Sequence, residues 1–250
     1  MARPAVDYER HGRTYAAHRR GDPRIAAAIR AALGDARTVL NVGAGTGSYE
    51  PADLAVVAVE PSAVMRAQRP PGAAAVVAGR AEDLPVRSRA VDAAMACLTV
   101  HHWDPASRGL AEMRRVATGP VVVFTFELSA LPEWQQEYLA EGLAVEAPRF
   151  GDLEAIGEAL GGRTRVVRLT TPADCTDGFF EAFWCRPEAL LDPAVRSAQS
   201  MWALLPPGSE ARIVERLRAD LRSGAWDARF GYLRSQDRFR GSLRLVVAEP

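Results

Sequence analysis

The chain has 250 residues, 48% hydrophobic and 25% charged, with 31 basic residues against 31 acidic ones. That apolar share excludes an intrinsically disordered chain, and 20 Gly with 17 Pro exclude collagen-like or low-complexity sequence. A formal charge of zero argues against a general nucleic-acid binder, and the length suits one large domain with a self-sufficient core.

The chain contains no Lys, so every basic residue is Arg. Cys97, Cys175 and Cys185 stand at no metal-ligand spacing and read as free thiols of a reducing compartment. The N-terminal residues are polar and carry no signal-peptide core. No apolar run reaches the ~18 residues of a membrane span. The expectation is a cytoplasmic protein with no membrane partner.

Along the chain, residues 1–37 read as helical, with Asp22-Pro23 as cap and first position of a helix that stops at Gly34. Short apolar runs then recur at 38–42, 55–59, 74–77, 91–96, 120–126, 164–169 and 243–248. Helical stretches at 62–68 and 105–116 lie between some of them. Strands alternating with helices indicate an α/β fold with a mainly parallel sheet. Residues 128–160 read as mostly helical, and 173–240 as a helical, aromatic stretch too long for a plain loop. That stretch is expected to lie over the carboxyl edge of the sheet, where open α/β sheets bind ligands. Its aromatics serve equally well as the core of an insertion.

The clearest chemical signal is Val39-Leu40-Asn41-Val42-Gly43-Ala44-Gly45-Thr46-Gly47-Ser48. Three alternate glycines after a buried strand allow positive φ and close approach of a ligand to the backbone. Such a turn presents N–H groups to a nucleotide-like ligand, or merely connects strand to helix tightly. The dinucleotide fingerprint G-x-G-x-x-G fails, because its third glycine falls on Ser48. A nicotinamide reductase is disfavoured further, since its usual Tyr-x-x-x-Lys base needs a Lys. The next strand ends in Glu60-Pro61-Ser62, and a carboxylate there suits both hydroxyls of a ribose.

Together with Gly79-Arg80-Ala81-Glu82-Asp83-Leu84-Pro85-Val86, Val91-Asp92-Ala93-Ala94 and His101-His102-Trp103, these motifs resemble the class I S-adenosylmethionine (SAM)-dependent methyltransferases, small-molecule branch. The resemblance is concentrated in residues 38–126. It implies a Rossmann-like, seven-stranded sheet with helices on both faces, an antiparallel last strand and SAM across the carboxyl edge. The chain then divides into an N-terminal cap (1–37), a SAM-binding core (38–171), a helical lid insertion (172–240) and the last strand (241–250). Gly43, Ala44, Gly45 and Gly47 would back the methionine and ribose, with Glu60 and Pro61 at the ribose. Ala81 and Glu82 would hold the adenine, and Cys97, Leu98 and Thr99 would approach the methionine end and the sulfonium.

Two positions depart from the family. Asn41 replaces a frequent acid, and Arg80 stands where relatives often have one. The stretch Tyr8…Tyr15-Ala16-Ala17-His18-Arg19 resembles relatives whose N-terminal helix closes over SAM. Tyr15 and Arg19 share a helix face, and Arg19 is suited to the SAM carboxylate.

Methyl transfer needs alignment and exclusion of water more than a covalent nucleophile or a metal. His102 is the expected general base toward substrate, with a structural role as the alternative. His101, Trp103, Phe126 and Phe183 are the expected acceptor contacts. Nothing activates the Cys97 thiol as a nucleophile. The expected activity is methyl transfer to an O, N or C atom of a small organic molecule. A SAM-binding non-catalytic protein and a protein or RNA methyltransferase are the alternatives.

Overall fold

A computed structural model describes Glu9 and residues 15–250. Tyr8 and most of the first fourteen residues, read above as part of the cap, lie outside the described residues. The strands, in chain order, are β1 (Thr38–Val42), β2 (Ala55–Val59), β3 (Ala75–Val77), β4 (Ala93–Cys97), β5 (Val121–Phe126), β6 (Arg163–Arg168), β7 (Thr171–Pro172), β8 (Arg238–Phe239) and β9 (Leu243–Glu249).

Seven of these form one sheet in the order β3-β2-β1-β4-β5-β9-β6. β1 to β5 run parallel, and β9 is antiparallel to both β5 and β6. The strand order reverses between β1 and β4, which opens a crevice at their carboxyl ends. Central strands are mainly apolar because both faces are covered: all six residues of β5 are buried. β6 is the outer strand, and its exposed Arg163, Arg165 and Arg168 discourage pairing with another chain.

The helices before the insertion are α1 (Tyr15–His18), α2 (Pro23–Ala32), α3 (Ala63–Ala67), α4 (Ala106–Val116), α5 (Glu133–Tyr138), α6 (Ala140–Glu146) and α7 (Leu153–Leu160). Asp22 caps α2 by accepting the Arg24 amide, and Pro23 supplies its preset first position. Ser62 caps α3 through the Met65 amide. On one face of the sheet, Leu110, Met113 and Val116 of α4 and Ile156 and Leu160 of α7 pack on Leu40, Ala94, Val123 and Val246. On the other face, Ile25 and Ile29 of α2 join Trp134, Tyr138 and the aromatics of the insertion over Val39, Met95, Phe124 and Leu245.

The insertion carries α8 (Pro193–Ser197), α9 (Ser200–Ala203), α10 (Ser209–Ser223) and α11 (Ala225–Phe230). It leaves and re-enters the sheet domain at one place, where β7 pairs with β8. The buried Glu181 carboxylate accepts both the Thr171 hydroxyl and the Ser242 amide, so one side chain clasps both ends. Much of its aromatic content is core: Trp184 and Trp226 are fully buried, and the Trp134 indole donates to the Trp184 carbonyl at 2.7 Å.

Candidate functional site

A cavity of about 260 Å³ lies over the carboxyl ends of β1, β2 and β4. Its wall brings together Tyr15, Arg19, Gly43, Ala44, Gly45, Glu60, Pro61, Ala81, Glu82, Cys97, Leu98, His102 and Trp103, residues singled out from sequence. Gly47 is not in the wall. A side chain there would instead meet Arg69 and Glu50 behind the loop. Thr99, expected with Cys97 and Leu98, lines it too, as do Asn41 and Arg80, while Thr46, Ser48, Tyr49 and Met65 join the lining without having been foreseen.

Gly43, Gly45 and Gly47 all have positive φ, at 66°, 52° and 92°. Only glycine adopts these values readily, so this sequence turns sharply where another side chain would strain it. The loop differs from expectation in one respect. Its amides point inward: Gly43 and Ala44 donate to the Val59 carbonyl, Gly47 to Ala44, and Gly45 to the Glu60 carboxylate at 2.8 Å. The loop therefore offers a close backbone surface and few free donors.

Glu60 sits at the tip of β2, 7% exposed. Its other oxygen accepts the Ser62 amide at 2.9 Å. Burial raises its carboxyl, opposed by those amides and by Arg66 and Arg69. Each oxygen keeps a further lone pair for a ligand. Glu82 accepts the Asp104 amide at 2.9 Å and lies 3.4 Å from the exposed Arg80 guanidinium.

Asn41 donates its amide N–H to Glu50 at 3.0 Å, and Glu50 pairs with the buried Arg69 at 2.7 Å. That bond orients the Asn41 amide. Its Oδ1 is left buried with no hydrogen-bond partner among the described residues, in the cavity wall.

Asp177, on the insertion, joins three segments. It accepts Arg19 Nε at 2.6 Å, the Tyr49 hydroxyl at 2.7 Å and the Gly178 amide at 2.7 Å. Gly178 packs so closely on His18 that a Cβ there would lie 2.3 Å from its carbonyl oxygen. Sequence reasoning missed Asp177, because its partners lie 128 and 158 residues away. The Arg19 guanidinium also covers the Tyr15 ring at 5.0 Å.

A second, smaller cavity continues from the first and shares Tyr15, Arg19, Leu98 and His102 with it. His101, Phe126, Phe150, Phe179, Phe180, Gln199 and Ser200 close it. Phe126 packs on Phe150, Phe179 and Phe180 with ring centroids 4.7–6.0 Å apart. Two expected acceptor contacts lie elsewhere. Trp103 lines the larger cavity, set against Gly109, where a Cβ would come within 2.5 Å of its ring. Phe183 lines neither cavity and stacks under Arg186.

At the junction, the Arg149 guanidinium contacts His102 Nδ1 at 2.6 Å. Burial and the Arg149 and Arg19 charges push His102 down to about 3. His101 is also held well below its usual range, by burial first, and stacks on Phe150 at 4.3 Å. Burial raises the Cys97 thiol, in keeping with an inert side chain. Among the described residues no group of three or more His, Cys, Asp or Glu is placed to hold a metal, and no helix is long and apolar enough to cross a membrane.

Residues 40–120 match the family model described as a methyltransferase domain. A solved structure from Anabaena variabilis ATCC 29413, assigned as a methyltransferase from an antibiotic biosynthesis pathway, is 30% identical. It aligns over 94% of this chain and 99% of its own, with a TM-score of 0.86. A SAM-dependent methyltransferase of Thermotoga maritima shares the fold at 16% identity, covering 97% and 91% of the two chains with a TM-score of 0.53. Phosphoethanolamine N-methyltransferase 2 of Haemonchus contortus does so at 16% identity over 90% and 52%, also with a TM-score of 0.53. No protein with a curated description matches. With the Anabaena protein aligned along almost its whole length, the chain belongs to the class I SAM-dependent methyltransferase family.

Proposed function

We propose that this protein methylates a small organic molecule whose reacting atom enters through the aromatic cavity. The observation that carries this is the junction of two cavities at Leu98 and His102. One is lined by the glycine loop, Glu60 and Glu82, and the other by four phenylalanines. SAM supplies a methyl carbon on a positive sulfur, and transfer forms the new bond to that carbon as the carbon–sulfur pair stays on sulfur.

The residues present fit such a donor. Glu60 offers two lone pairs to ribose hydroxyls, with Pro61 beside it. Ala81 and Glu82 face the adenine end. Asn41 Oδ1, buried and unpartnered among the described residues, suits the ammonium of the methionine part. Arg19, aligned by Asp177, suits the carboxylate. Cys97 and Leu98 flank the sulfur. His101 and Phe126 line the acceptor side, and the phenyl walls exclude water from the reacting atoms.

The test is calorimetric titration of the purified protein with S-adenosylhomocysteine and, in parallel, NADH. Saturable binding of the first alone is expected, followed by a screen of small aromatic acceptors for methyl transfer. Absence of S-adenosylhomocysteine binding overturns the site assignment.

A further inference from the structure

We infer that the buried Glu146–Arg149 pair is the polar end of the acceptor site and selects an uncharged aromatic acceptor that carries a hydroxyl or carboxamide group. The inference rests on the acceptor site proposed above and names the chemistry of what enters it. The phenyl walls favour a flat apolar body. Polar groups stand directly behind them. Ser200 lines the aromatic cavity and donates its hydroxyl to Glu146 Oε1 at 3.1 Å. Phe150, next in the chain to Arg149, lines it too and stacks on His101. Glu146 and Arg149 are 2% and 4% exposed. Close packing of α6 on α9 keeps Glu146 beside Ser200: a Cβ on Gly142 would lie 2.6 Å from the Met201 side chain.

The pair is loosely matched. Arg149 Nη1 lies 3.5 Å from Glu146 Oε1. Neither that Nη1 nor Glu146 Oε2 has a hydrogen-bond partner among the described residues, and the same holds for His101 Nδ1. Buried polar atoms are ordinarily hydrogen-bonded, so an incoming polar group gains most where several unmet ones gather. The cavity encloses about 30 Å³, so an aromatic acceptor has to widen it, and widening past Ser200 leads to the pair.

The two side chains set the chemistry of that group. A carboxylate oxygen accepts and a guanidinium donates. A hydroxyl or a carboxamide does both and can satisfy Glu146 Oε2 and Arg149 Nη1 together. A carboxylate would meet Arg149 but oppose Glu146, and an ammonium would do the reverse. Either would bring an uncompensated charge into a buried site. The other groups nearby do not offset it. Arg19 is already paired with Asp177, and His101 is held neutral, by burial first.

The experiment is an NMR titration of the full chain at pH 7 with benzamide, benzyl alcohol, benzoate and benzylamine, read at the Phe150 and Ser200 amides. Benzamide and benzyl alcohol are expected to bind about tenfold more tightly than the two charged probes. Glu146→Gln leaves the guanidinium charge unopposed and is expected to shift the benzoate-to-benzamide ratio about tenfold toward benzoate. Replacing the pair together, Glu146→Leu with Arg149→Met, conserves volume and removes both charges, a change that buried pairs commonly tolerate. It is expected to abolish the advantage of benzamide and benzyl alcohol, and it guards against a misfolded single variant. Wild-type binding of benzoate or benzylamine as tight as that of benzamide overturns the inference. So does an unchanged ratio in the folded variants, or no response of those amides to any probe. The probes are read without S-adenosylhomocysteine, so this result is distinct from failure of that ligand to bind.

Discussion

The carboxylate of Glu60 has two tasks that a single substitution separates only in part. It stands where ribose hydroxyls are proposed to bind, and it already satisfies the amides of Gly45 and Ser62. Glu60→Ala is therefore expected to weaken S-adenosylhomocysteine by ~1.5–3 kcal/mol, roughly ten- to a hundredfold, through lost charge-assisted bonds. It should also lower the melting temperature of the ligand-free protein, because two buried donors lose their acceptor. Calorimetry and a thermal melt on the same variant check both. A loss well under tenfold returns Glu60 to a purely structural role. At this scale the sequence was informative about residue type and less so about direction. Gly43, Gly45 and Glu60 line the cavity and Gly47 does not, and the inward turn of the loop amides depends on Val59 and Glu60 as acceptors. His102 is a similar case. Its position next to β4 was legible, while its contact with Arg149, 47 residues further along, was not.

Among the elements, the cap, the glycine loop and the insertion are held together at Asp177 through Arg19 and Tyr49. The aromatic cavity beneath encloses about 30 Å³. That is room for one or two waters. The proposed acceptor would need more room than this, and Asp177 is the clasp between the elements that would have to part. Asp177→Ala is expected to speed hydrogen exchange at least tenfold in residues 15–19 and 176–180, with β1, β4 and β5 unchanged. Exchange measured by mass spectrometry checks this, and equal protection in the variant would remove Asp177 from that role. Such clasps are invisible to periodicity, because hydrophobic spacing reports which face is buried and not which distant polar group it meets. The β7–β8 ribbon escaped notice for a related reason: two residues per strand are too short to show alternation.

For the whole molecule, the seven sheet strands lie within two residues of the apolar runs that marked them. Strands buried on both faces read as continuous apolar sequence, and that is the strongest signal a single chain carries. One tie across the molecule sets an expected pH response. Asp22 caps α2, pairs with Arg24 at 2.7 Å and accepts the Thr176 amide from the insertion. Burial alone would raise its carboxyl, but these hydrogen bonds bring it down to about 2. The unfolded value is about 3.9. A depressed carboxyl contributes stability that is present above pH ~4 and is lost as the pH falls toward 2. Asp22→Asn keeps a capping oxygen and removes the titration. Urea midpoints at pH 5 and pH 3 should therefore fall further for the wild type than for the variant, and equal falls would count against the assignment.

The β7–β8 ribbon has a bearing on how such a protein diversifies. Chain entry and exit meet at adjacent paired residues, Thr171 opposite Phe239 and Pro172 opposite Arg238. Whatever lies between them can change length or composition without altering the spacing of β6 and β9. The Trp134 and Gln135 side chains, however, donate to the insertion at Trp184 and Phe180. The unit that can be exchanged is thus residues 128–150 together with 172–240. Transplanted as a matched pair onto a related sheet, it would require there the groups that Asp177 and Thr176 meet here, Arg19, Tyr49 and Asp22.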